Sequence, residues 1–238
     1  MKGILLAGGD GSRLYPLTNV VNKALLPIYN EPMIYYPLKT LKGLGCEEIC
    51  IVTGKEHSGQ IMSQMGSGEE FDVDFTYKVQ DKPGGIAQAL GLCKSFSNND
   101  SIAVCLGDNI FEDTISIDDY DNKGAYIFLK EVNNPKRFGV AEVVGNSVVS
   151  IEEKPNNPKS NLCVTGLYIY DSYVWNVIDG IGPSDRGELE ITDVNIWYVK
   201  NGLMKFKVIN GFWSDAGTPD SLIVANNLVK TKYKLDKQ

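Results

Sequence analysis

Hydrophobic and polar positions follow two alternating patterns along the first half of the chain. Short apolar runs bounded by glycine or polar residues are typical of strands buried on both faces of a sheet. Longer segments with apolar residues at helical spacing separate them. The predicted strands are KGILLAG, EEICIVTG, DFTYKVQ and SIAVCLGDN. The predicted helices are PMIYYPLKTLKGLG, which ends at Gly45, then SGQIMSQMG and GIAQALGLCKSF.

This order of elements predicts the fold class. A repeated strand, helix, strand order favours a mostly parallel sheet with helices on both faces, a three-layer Rossmann-like α/β fold. Ligands of such sheets bind at the carboxyl ends of the strands, where each strand is followed by a loop. The segments AGG, KVQ and LGDN lie at such ends, so we expect binding residues there.

The second half of the chain has a different pattern. The segment FGVAEVVGNSVVSIEEKP alternates around Gly145-Asn146 as a hairpin does, and NLCVTGLYIYD is a further predicted strand. YVWNVIDGI, ELEITDVNIWYVKNG and the tail from Thr218 are predicted helices. No repeat or long linker interrupts the chain. We therefore expect one domain over residues 1–238, with lobes at 1–120 and 121–238, the second carrying a β-rich insertion.

Composition and charge exclude several classes of partner. The chain has 238 residues, 43% of them hydrophobic, with 23 Lys and Arg against 30 Asp and Glu and a formal net charge of -7. Such a field repels nucleic acid and anionic membranes, so we expect neither as a partner. The five cysteines are an odd number without a CxxC pattern. They predict a reducing, cytoplasmic setting, and no signal peptide or membrane span is apparent.

The loop after the first predicted strand contains glycines and two cations. Gly9 and Gly11 are followed by Arg13, without the third glycine of a dinucleotide fingerprint or the closing Gly-Lys-Ser/Thr of a P-loop. This excludes a nicotinamide-dependent oxidoreductase. The loop is either an anion cradle, whose backbone N–H groups act with Arg13 and Lys23, or a tight turn with surface cations. From this segment alone, both interpretations stay open.

Two aspartates follow other predicted strands. Asp108 ends CLGDN and Asp215 lies in GFWSDAGTP. Carboxylates at two strand ends can share Mg²⁺, which prefers oxygen ligands and bridges phosphates. Each aspartate taken alone is better explained as a helix cap or turn former.

Eight ordered segments carry a resemblance to a known family. They are LLAGGDGSRLYPLT, NKALLPI, VQDKPGGIAQAL, LGDNIF, IEEKP, VTGLYIYD, RGELEITDVN and WSDAGTP. In this order, and over nearly the whole chain, they resemble the sugar-nucleotidyltransferases, most of all the members that use dTTP and glucose 1-phosphate. The resemblance implies the fold of nucleotide-diphospho-sugar transferases, Mg²⁺ as cofactor, and direct in-line attack of the sugar phosphate on the nucleotide.

The resemblance also implies roles for the charged residues. Arg13 would bind the leaving pyrophosphate, Lys23 would bind the triphosphate, and Lys154 would bind the sugar phosphate. Asp108 and Asp215 would bind Mg²⁺. The implied catalytic residues are thus Arg13, Lys23, Lys154 and Asp108.

Further residues are implied for nucleotide and sugar recognition. Gln80 presents one donor and one acceptor, which match thymine or uracil. The implied nucleotide-binding set is Leu6, Ala7, Gly8, Gly9, Gln80, Gly85 and Asp108. The implied sugar-phosphate set is Asn109, Gly139, Glu153, Lys154, Val164 and Arg186. Glu153 and Lys154 are also explained as a solvated charge run before a proline turn.

Alternatives within and beyond the enzyme class stay open. UTP- or CTP-dependent transfer uses the same cations and differs in the base pocket. A non-catalytic regulatory subunit that binds nucleotide sugars would be expected to lose the metal carboxylates or the loop cations, which this chain keeps. Many family members carry glutamine or histidine at Ala24 and tyrosine at Phe138. We expect a homo-oligomer, a dimer or a tetramer, formed through an apolar face of the last helix.

Overall fold

The computed structural model describes residues 1–112, 114–117 and 120–235. The chain divides into two compact units, each built from several separate stretches of sequence. We call Gly3–Pro83, Cys105–Ser116 and Gly211–Gln238 the β1 unit, and Met1–Lys2, Gly84–Val104 and Ile117–Asn210 the β8 unit.

Thirteen strands and seven α-helices occur among the described residues. The strands are β1 Lys2–Ala7, β2 Pro27–Ile28, β3 Glu31–Pro32, β4 Glu48–Gly54, β5 Asp74–Gln80, β6 Ile102–Leu106, β7 Ile110–Phe111, β8 Ala125–Glu131, β9 Gly139–Val144, β10 Ser147–Glu153, β11 Leu162–Tyr170, β12 Met204–Val208 and β13 Trp213–Ser214. The helices are α1 Tyr35–Gly43, α2 Ser58–Met65, α3 Ile86–Gly91, α4 Lys94–Ser97, α5 Val174–Gly180, α6 Ile191–Lys200 and α7 Pro219–Leu235.

The β1 unit has a parallel sheet in the order β1, β4, β5. Ile4 of β1 lies opposite Cys50 of β4, and Cys50 lies opposite Thr76 of β5. The apolar runs of β1 and β4 are buried, as expected for strands covered on both faces. This confirms the predicted α/β class with parallel strands and intervening helices.

An apolar cluster in the same unit fixes the loops after β1. Leu14 and Leu26, from two 3-10 turns in that region, pack with Ile110, Ala216 and Ala225. Leu14 is 1% exposed, so the turn that carries Arg13 is anchored although Arg13 itself is exposed. Burial of neighbouring leucines thus holds the charged residues of the loop in place.

The β8 unit confirms the predicted hairpin and adds two strands that sequence patterns missed. β9 and β10 pair in antiparallel fashion around Gly145, whose φ of +59° suits the turn. β11 is antiparallel to β8, and β12 is parallel to β8. Neither β8 nor β12 was predicted.

Some predicted boundaries differ from the structure. GIAQALGLCKSF forms two helices, α3 and α4, separated at Leu92 and Cys93. The helix predicted from ELEITDVN begins only at Ile191, because Leu189 hydrogen-bonds through its backbone with Gly84 and Ala87. The last residues of the predicted tail helix, 236–238, lie outside the described residues. The two units are each made of several stretches of sequence and do not correspond to the predicted lobes 1–120 and 121–238. The division into those lobes stays a prediction.

Candidate active site

The loop after β1 turns at Gly11, where a residue with a side chain would be strained. Gly11 has a φ of +64°, and a β-carbon there would lie 2.8 Å from Thr18 Cγ2. Thr18 Oγ1 and the Leu14 amide donate to the Gly11 carbonyl, at 2.9 and 2.8 Å. These hydrogen bonds close the turn, and Arg13, two residues further on, is exposed.

Lys23 begins a 3-10 turn further along the same loop, Lys23–Leu25. The Asn22 side chain caps this turn by accepting from the Ala24 amide at 2.8 Å. Asn22 Nδ2 also donates to the Ala7 carbonyl at the end of β1, at 3.4 Å. The lysine is thus tied to the strand end where the predicted nucleotide-binding segment lies.

A chain of three side-chain hydrogen bonds contains Lys23, Asp108, Asn109 and Trp213. Lys23 Nζ donates to Asp108 Oδ2. Asn109 Nδ2 donates to the other carboxylate oxygen, Asp108 Oδ1, at 2.8 Å, and Asn109 Oδ1 accepts from Trp213 Nε1 at 2.7 Å. Asn109 is 2% exposed, so this amide fixes the orientation of the Asp108 carboxylate from within the protein.

Asp215 comes next to this group through strand pairing. In the antiparallel pair β7 and β13, Trp213 lies opposite Phe111 and Ser214 opposite Ile110. Continuing this register by one residue places Asp215 opposite Asn109. The β1 unit therefore brings both predicted metal ligands to one edge.

Gly217 marks where the two predicted phosphate-binding cations converge. A β-carbon on Gly217 would lie 3.2 Å from Arg13 Nη2 and 3.3 Å from Lys23 Nζ. Both positive charges thus lie within a few ångströms of the loop that carries Asp215. Two cations beside one loop suit a polyphosphate, which carries several anionic oxygens.

Gln80 lies at the end of β5, beside the glycine loop. A β-carbon on Gly8 would lie 2.7 Å from Gln80 Oε1, so the amide occupies the space that a side chain would need. Gln80 is 8% exposed. A buried amide at the end of a parallel strand is a suitable reader of a base edge.

The nearby Cys105 is chemically inert in this setting. The residue lies on β6 and is fully buried. Burial, and then the charge of Asp108, raise the pKa of the Cys105 thiol well above its usual value. A thiol that keeps its proton is a poor nucleophile, so the site does not provide covalent thiol catalysis.

The β8 unit brings together a second group of predicted residues. Glu153 is paired with Gly139 across the β9–β10 hairpin. A β-carbon on Gly139 would lie 3.5 Å from Glu153 Oε2, 3.5 Å from Thr192 Oγ1 and 3.8 Å from Val164 Cβ. Thr192 Oγ1 donates to Glu153 Oε2 at 2.6 Å. Gly139 has no side chain, so the Glu153 carboxylate and the Thr192 hydroxyl border the space beside it.

Cations surround the other oxygen of Glu153. Lys154 Nζ lies 3.1 Å and Arg186 Nη2 3.8 Å from Glu153 Oε1. Arg186 Nη2 lies closer to Glu190 Oε1, at 2.7 Å, and this hydrogen bond raises the pKa of the guanidinium. Lys154 has a φ of +44°, an uncommon conformation for a residue with a side chain.

Gly85 also lies in the β8 unit, at the start of α3. Its φ is +94°, and a β-carbon there would lie 2.9 Å from the Leu189 amide nitrogen. The Leu189 amide donates to the Gly84 carbonyl at 2.8 Å, and the Ala87 amide donates to the Leu189 carbonyl at 3.1 Å. The Gly84-Gly85 segment is therefore joined by backbone hydrogen bonds to Leu189, in the loop before α6.

The predicted site residues thus fall into two groups. The β1 unit holds Leu6, Ala7, Gly8, Gly9, Arg13, Lys23, Gln80, Asp108, Asn109 and Asp215. The β8 unit holds Gly85, Gly139, Glu153, Lys154, Val164 and Arg186. Their individual roles stay predictions.

Sequence reasoning missed three residues that contact these groups. Thr192 and Glu190 lie within RGELEITDVN, where a polar residue before a helix reads as an ordinary cap. Trp213 lies within the motif WSDAGTP, in which only Asp215 was assigned a role. In the structure, they hydrogen-bond to Glu153, Arg186 and Asn109, respectively.

The protein supplies few ligands for a metal ion. Among the described residues, no group of three or more His, Cys, Asp or Glu side chains is arranged to hold one. Mg²⁺ fits such a site nonetheless, because it is commonly bound by one or two carboxylates together with water and substrate phosphates. Asp108, oriented by Asn109, and Asp215 are the residues that fit this pattern.

Comparison with known proteins identifies the family. The profile described as nucleotidyl transferase matches residues 2–232. The chain belongs to the nucleotidyl transferase family. This nucleotidyl transferase is 44% identical to the glucose-1-phosphate thymidylyltransferase of Neisseria meningitidis serogroup A. The match covers 97% of this nucleotidyl transferase and 83% of the Neisseria protein. The resemblance noted from its motifs is thereby confirmed.

Solved structures confirm the fold. A Bacillus anthracis structure described as a glucose-1-phosphate thymidylyltransferase in complex with a sucrose matches with a TM-score of 0.92 at 54% identity, covering 96% of this nucleotidyl transferase and 94% of that chain. A UDP-glucose pyrophosphorylase complexed with UDP-glucose matches with a TM-score of 0.83 at 24% identity, covering 97% and 98% of the two chains. At that identity the likeness shows the fold alone.

Proposed function

We propose that this protein is a glucose-1-phosphate thymidylyltransferase, which transfers the thymidylyl group of dTTP to glucose 1-phosphate and gives dTDP-glucose and pyrophosphate. The observation that carries the chemistry is the convergence of Arg13 and Lys23 at Gly217, next to Asp215. The names of its relatives support dTTP and glucose 1-phosphate as the substrates.

The reaction exchanges one phosphoanhydride bond for another. A phosphate oxygen of the sugar attacks the α-phosphorus of dTTP, a new P–O bond forms, and the bond to the β-phosphate breaks. Charge on the phosphate oxygens must be neutralised as the two anions approach, and positioning supplies most of the remaining acceleration. No covalent intermediate with the protein is needed, consistent with the inert thiol of Cys105.

The β1 unit has the groups that such a triphosphate needs. Arg13 has the planar fork that suits the leaving pyrophosphate, and Lys23 supplies a second charge on the triphosphate. Gln80 reads the thymine edge with its amide, and Gly8 leaves room for that amide. When bound, Mg²⁺ would be held by Asp108 and Asp215 and would neutralise phosphate oxygens.

The β8 unit has the groups that a hexose phosphate needs. Lys154 and Arg186 can bind the phosphate of the sugar. Glu153 and Thr192 lie beside Gly139, where a side chain would otherwise be, and can hydrogen-bond with sugar hydroxyls. The pairing of acceptor and donor on one small face suits a neutral, hydroxyl-rich ring.

The setting follows from the chemistry and from the thiols. All five cysteines are free and buried, which agrees with a reducing compartment. None of the described helices has the length and apolar character needed to cross a bilayer. We propose that the enzyme is cytoplasmic and forms a homo-oligomer.

A nucleotide panel tests the function directly. Pyrophosphate release is measured with Mg²⁺ and glucose 1-phosphate, with dTTP, UTP, CTP, ATP or GTP as the second substrate. Release with dTTP that is lost in Asp108→Asn supports the proposal. The control Asp72→Asn changes an exposed aspartate and should keep full activity. Release mainly with UTP or CTP would overturn the assignment of the base, and release with no nucleotide by a protein that still binds dTTP would favour a regulatory binding subunit.

A further inference from the structure

Gln60 joins helix α2 to the segment that leads into Lys23. Its side-chain amide uses both of its functions: Nε2 donates to the Val20 carbonyl at 2.9 Å, and Oε1 accepts from the Asn22 amide at 3.1 Å. Gln60 is exposed, in the first turns of α2. One side chain from outside the loop therefore bridges two backbone groups of the loop that lie two residues apart.

Lys23 follows directly after this bridge. Its preceding residue, Asn22, is fixed at its backbone by Gln60 and at its side chain by Ala7 and Ala24. Contacts of Asn22 therefore help to set the conformation of the Lys23 backbone, together with the hydrogen bond that the Leu26 amide donates to the Lys23 carbonyl at 3.1 Å. Gln60 is the part of this arrangement contributed by a separate helix.

The residues before Asn22 differ in how far apolar packing holds them. Val21 packs against the apolar cluster that contains Leu14 and Leu26, whereas Val20 is 79% exposed and Leu17 is 49% exposed. The Val20 side chain therefore adds little restraint of its own, and backbone hydrogen bonds contribute more at this position. The two hydrogen bonds to Gln60 are of this kind.

We propose that Gln60 is a positioning residue for Lys23, holding Val20 and Asn22 so that the ammonium group stays aligned with the triphosphate. The inference rests on the proposed function, because it assumes that Lys23 binds the nucleotide. Gln60 does not contact the reacting atoms and acts only through the backbone of Asn22. Its amide suits this task, since only a side chain with a donor and an acceptor can satisfy a carbonyl and an N–H together.

Three variants on one helix test the inference. Gln60→Ala removes both hydrogen bonds, and Gln60→Glu keeps the acceptor for the Asn22 amide but loses the donor to Val20. The matched control is Gln64→Ala, one turn further along α2, which removes a hydrogen bond to Tyr35 Oη of 2.7 Å. Both positions are exposed, so we expect equal melting temperatures for the three variants.

Kinetics should separate positioning from folding. We expect Gln60→Ala to lower kcat/KM for dTTP by about fivefold to tenfold, as the loss of one or two hydrogen bonds implies, with KM for glucose 1-phosphate unchanged. Gln60→Glu should recover part of the loss, and Gln64→Ala should match the parent protein. Equal kinetics for Gln60→Ala and Gln64→Ala would overturn the inference.

A double-mutant cycle shows whether Gln60 acts through Lys23. With Lys23→Ala as background, Gln60→Ala should have no further effect, because the ammonium to be aligned is gone. A full additional loss in that background would also overturn the inference. If Lys23→Ala alone keeps full activity, the proposed role of Lys23 fails, which is a different result from failure of the Gln60 bridge.

Hydrogen exchange tests the bridge independently of activity. In Gln60→Ala, the amides of residues 20–22 should exchange roughly tenfold faster than in the parent protein and in Gln64→Ala. Unchanged exchange in this segment would overturn the bridge itself, whatever the enzymatic results.

Discussion

Lys23 Nζ donates a hydrogen bond to Asp108 Oδ2, which links the loop after β1 to the loop after β6. Both side chains are largely buried, at 13% and 20% exposure, and the carboxylate is held on its other oxygen by Asn109. The two residues that sequence motifs assigned to the triphosphate and to the metal are therefore direct partners. Any change in one alters the charge environment of the other.

Lys23→Ala should lower both activity and stability. The variant leaves the Asp108 charge without its ammonium partner, which destabilises the fold by about 1 kcal/mol or more. Loss of a charge on the triphosphate should lower kcat/KM by on the order of 10²-fold. Steady-state kinetics and urea unfolding measure the two effects. Lys39→Ala, whose side chain is 60% exposed beside Glu31, is the control and should change neither.

Gly8→Ala should impair recognition of the nucleotide. The new methyl group would lie 2.7 Å from Gln80 Oε1, so the buried amide must move. We expect KM for dTTP to rise by about tenfold or more and the preference for dTTP over CTP to fall. The control Gly59→Ala adds a methyl group with nothing within 4 Å, at the second residue of helix α2, and should leave the kinetics unchanged. An unchanged KM in Gly8→Ala would argue against Gln80 as the base reader.

Glycines and charged residues at strand ends allowed the candidate site residues of the β1 unit to be predicted from the sequence. A turn at Gly11 needs glycine, and Asp108 after a buried strand needs a partner, so local sequence carries the signal. Thr192 and Gln60 were missed because their partners lie 39 and 38 residues away along the chain, where no local pattern points. Strand β8 was missed for a related reason: its register is set by β11 and β12, which follow it in the chain.

Ala216→Gly should leave stability nearly unchanged although the residue is buried. Ala216 is 0% exposed and has a φ of +31°, a left-handed conformation that costs a residue with a β-carbon about 1–2 kcal/mol. Relief of this cost offsets the greater freedom of glycine in the unfolded chain. Ala225→Gly, in helix α7, is the contrast and should lose about 1 kcal/mol in urea unfolding. An equal loss at both positions would contradict the explanation.

The buried thiols should make stability fall at high pH. Burial raises the pKa of Cys46 from its usual value of 9.0 to about 11. Because the folded pKa is the higher one, the neutral thiol stabilises the fold fully below about pH 9, and this contribution is lost as the pH rises towards 11. Urea unfolding at pH 8 and pH 10.5 measures the loss, which should be smaller in Cys46→Ala. At pH 8, a thiol reagent should modify the folded protein far more slowly than the unfolded chain.

Thr192→Val should impair use of the sugar phosphate while sparing the nucleotide. Valine keeps the shape of threonine but removes the hydroxyl that donates to Glu153 Oε2 at 2.6 Å. Glu153 would then be free to turn towards Lys154 and Arg186, whose cations lie 3.1 and 3.8 Å from its other oxygen. We expect KM for glucose 1-phosphate to rise by roughly tenfold and KM for dTTP to stay within about twofold. Thr231→Val removes an exposed hydroxyl on α7 that donates to the Asn227 carbonyl, and it should match the parent protein in both constants. A rise in both KM values for Thr192→Val would instead point to a general structural defect, and no rise in either would remove Glu153 and Thr192 from the sugar site.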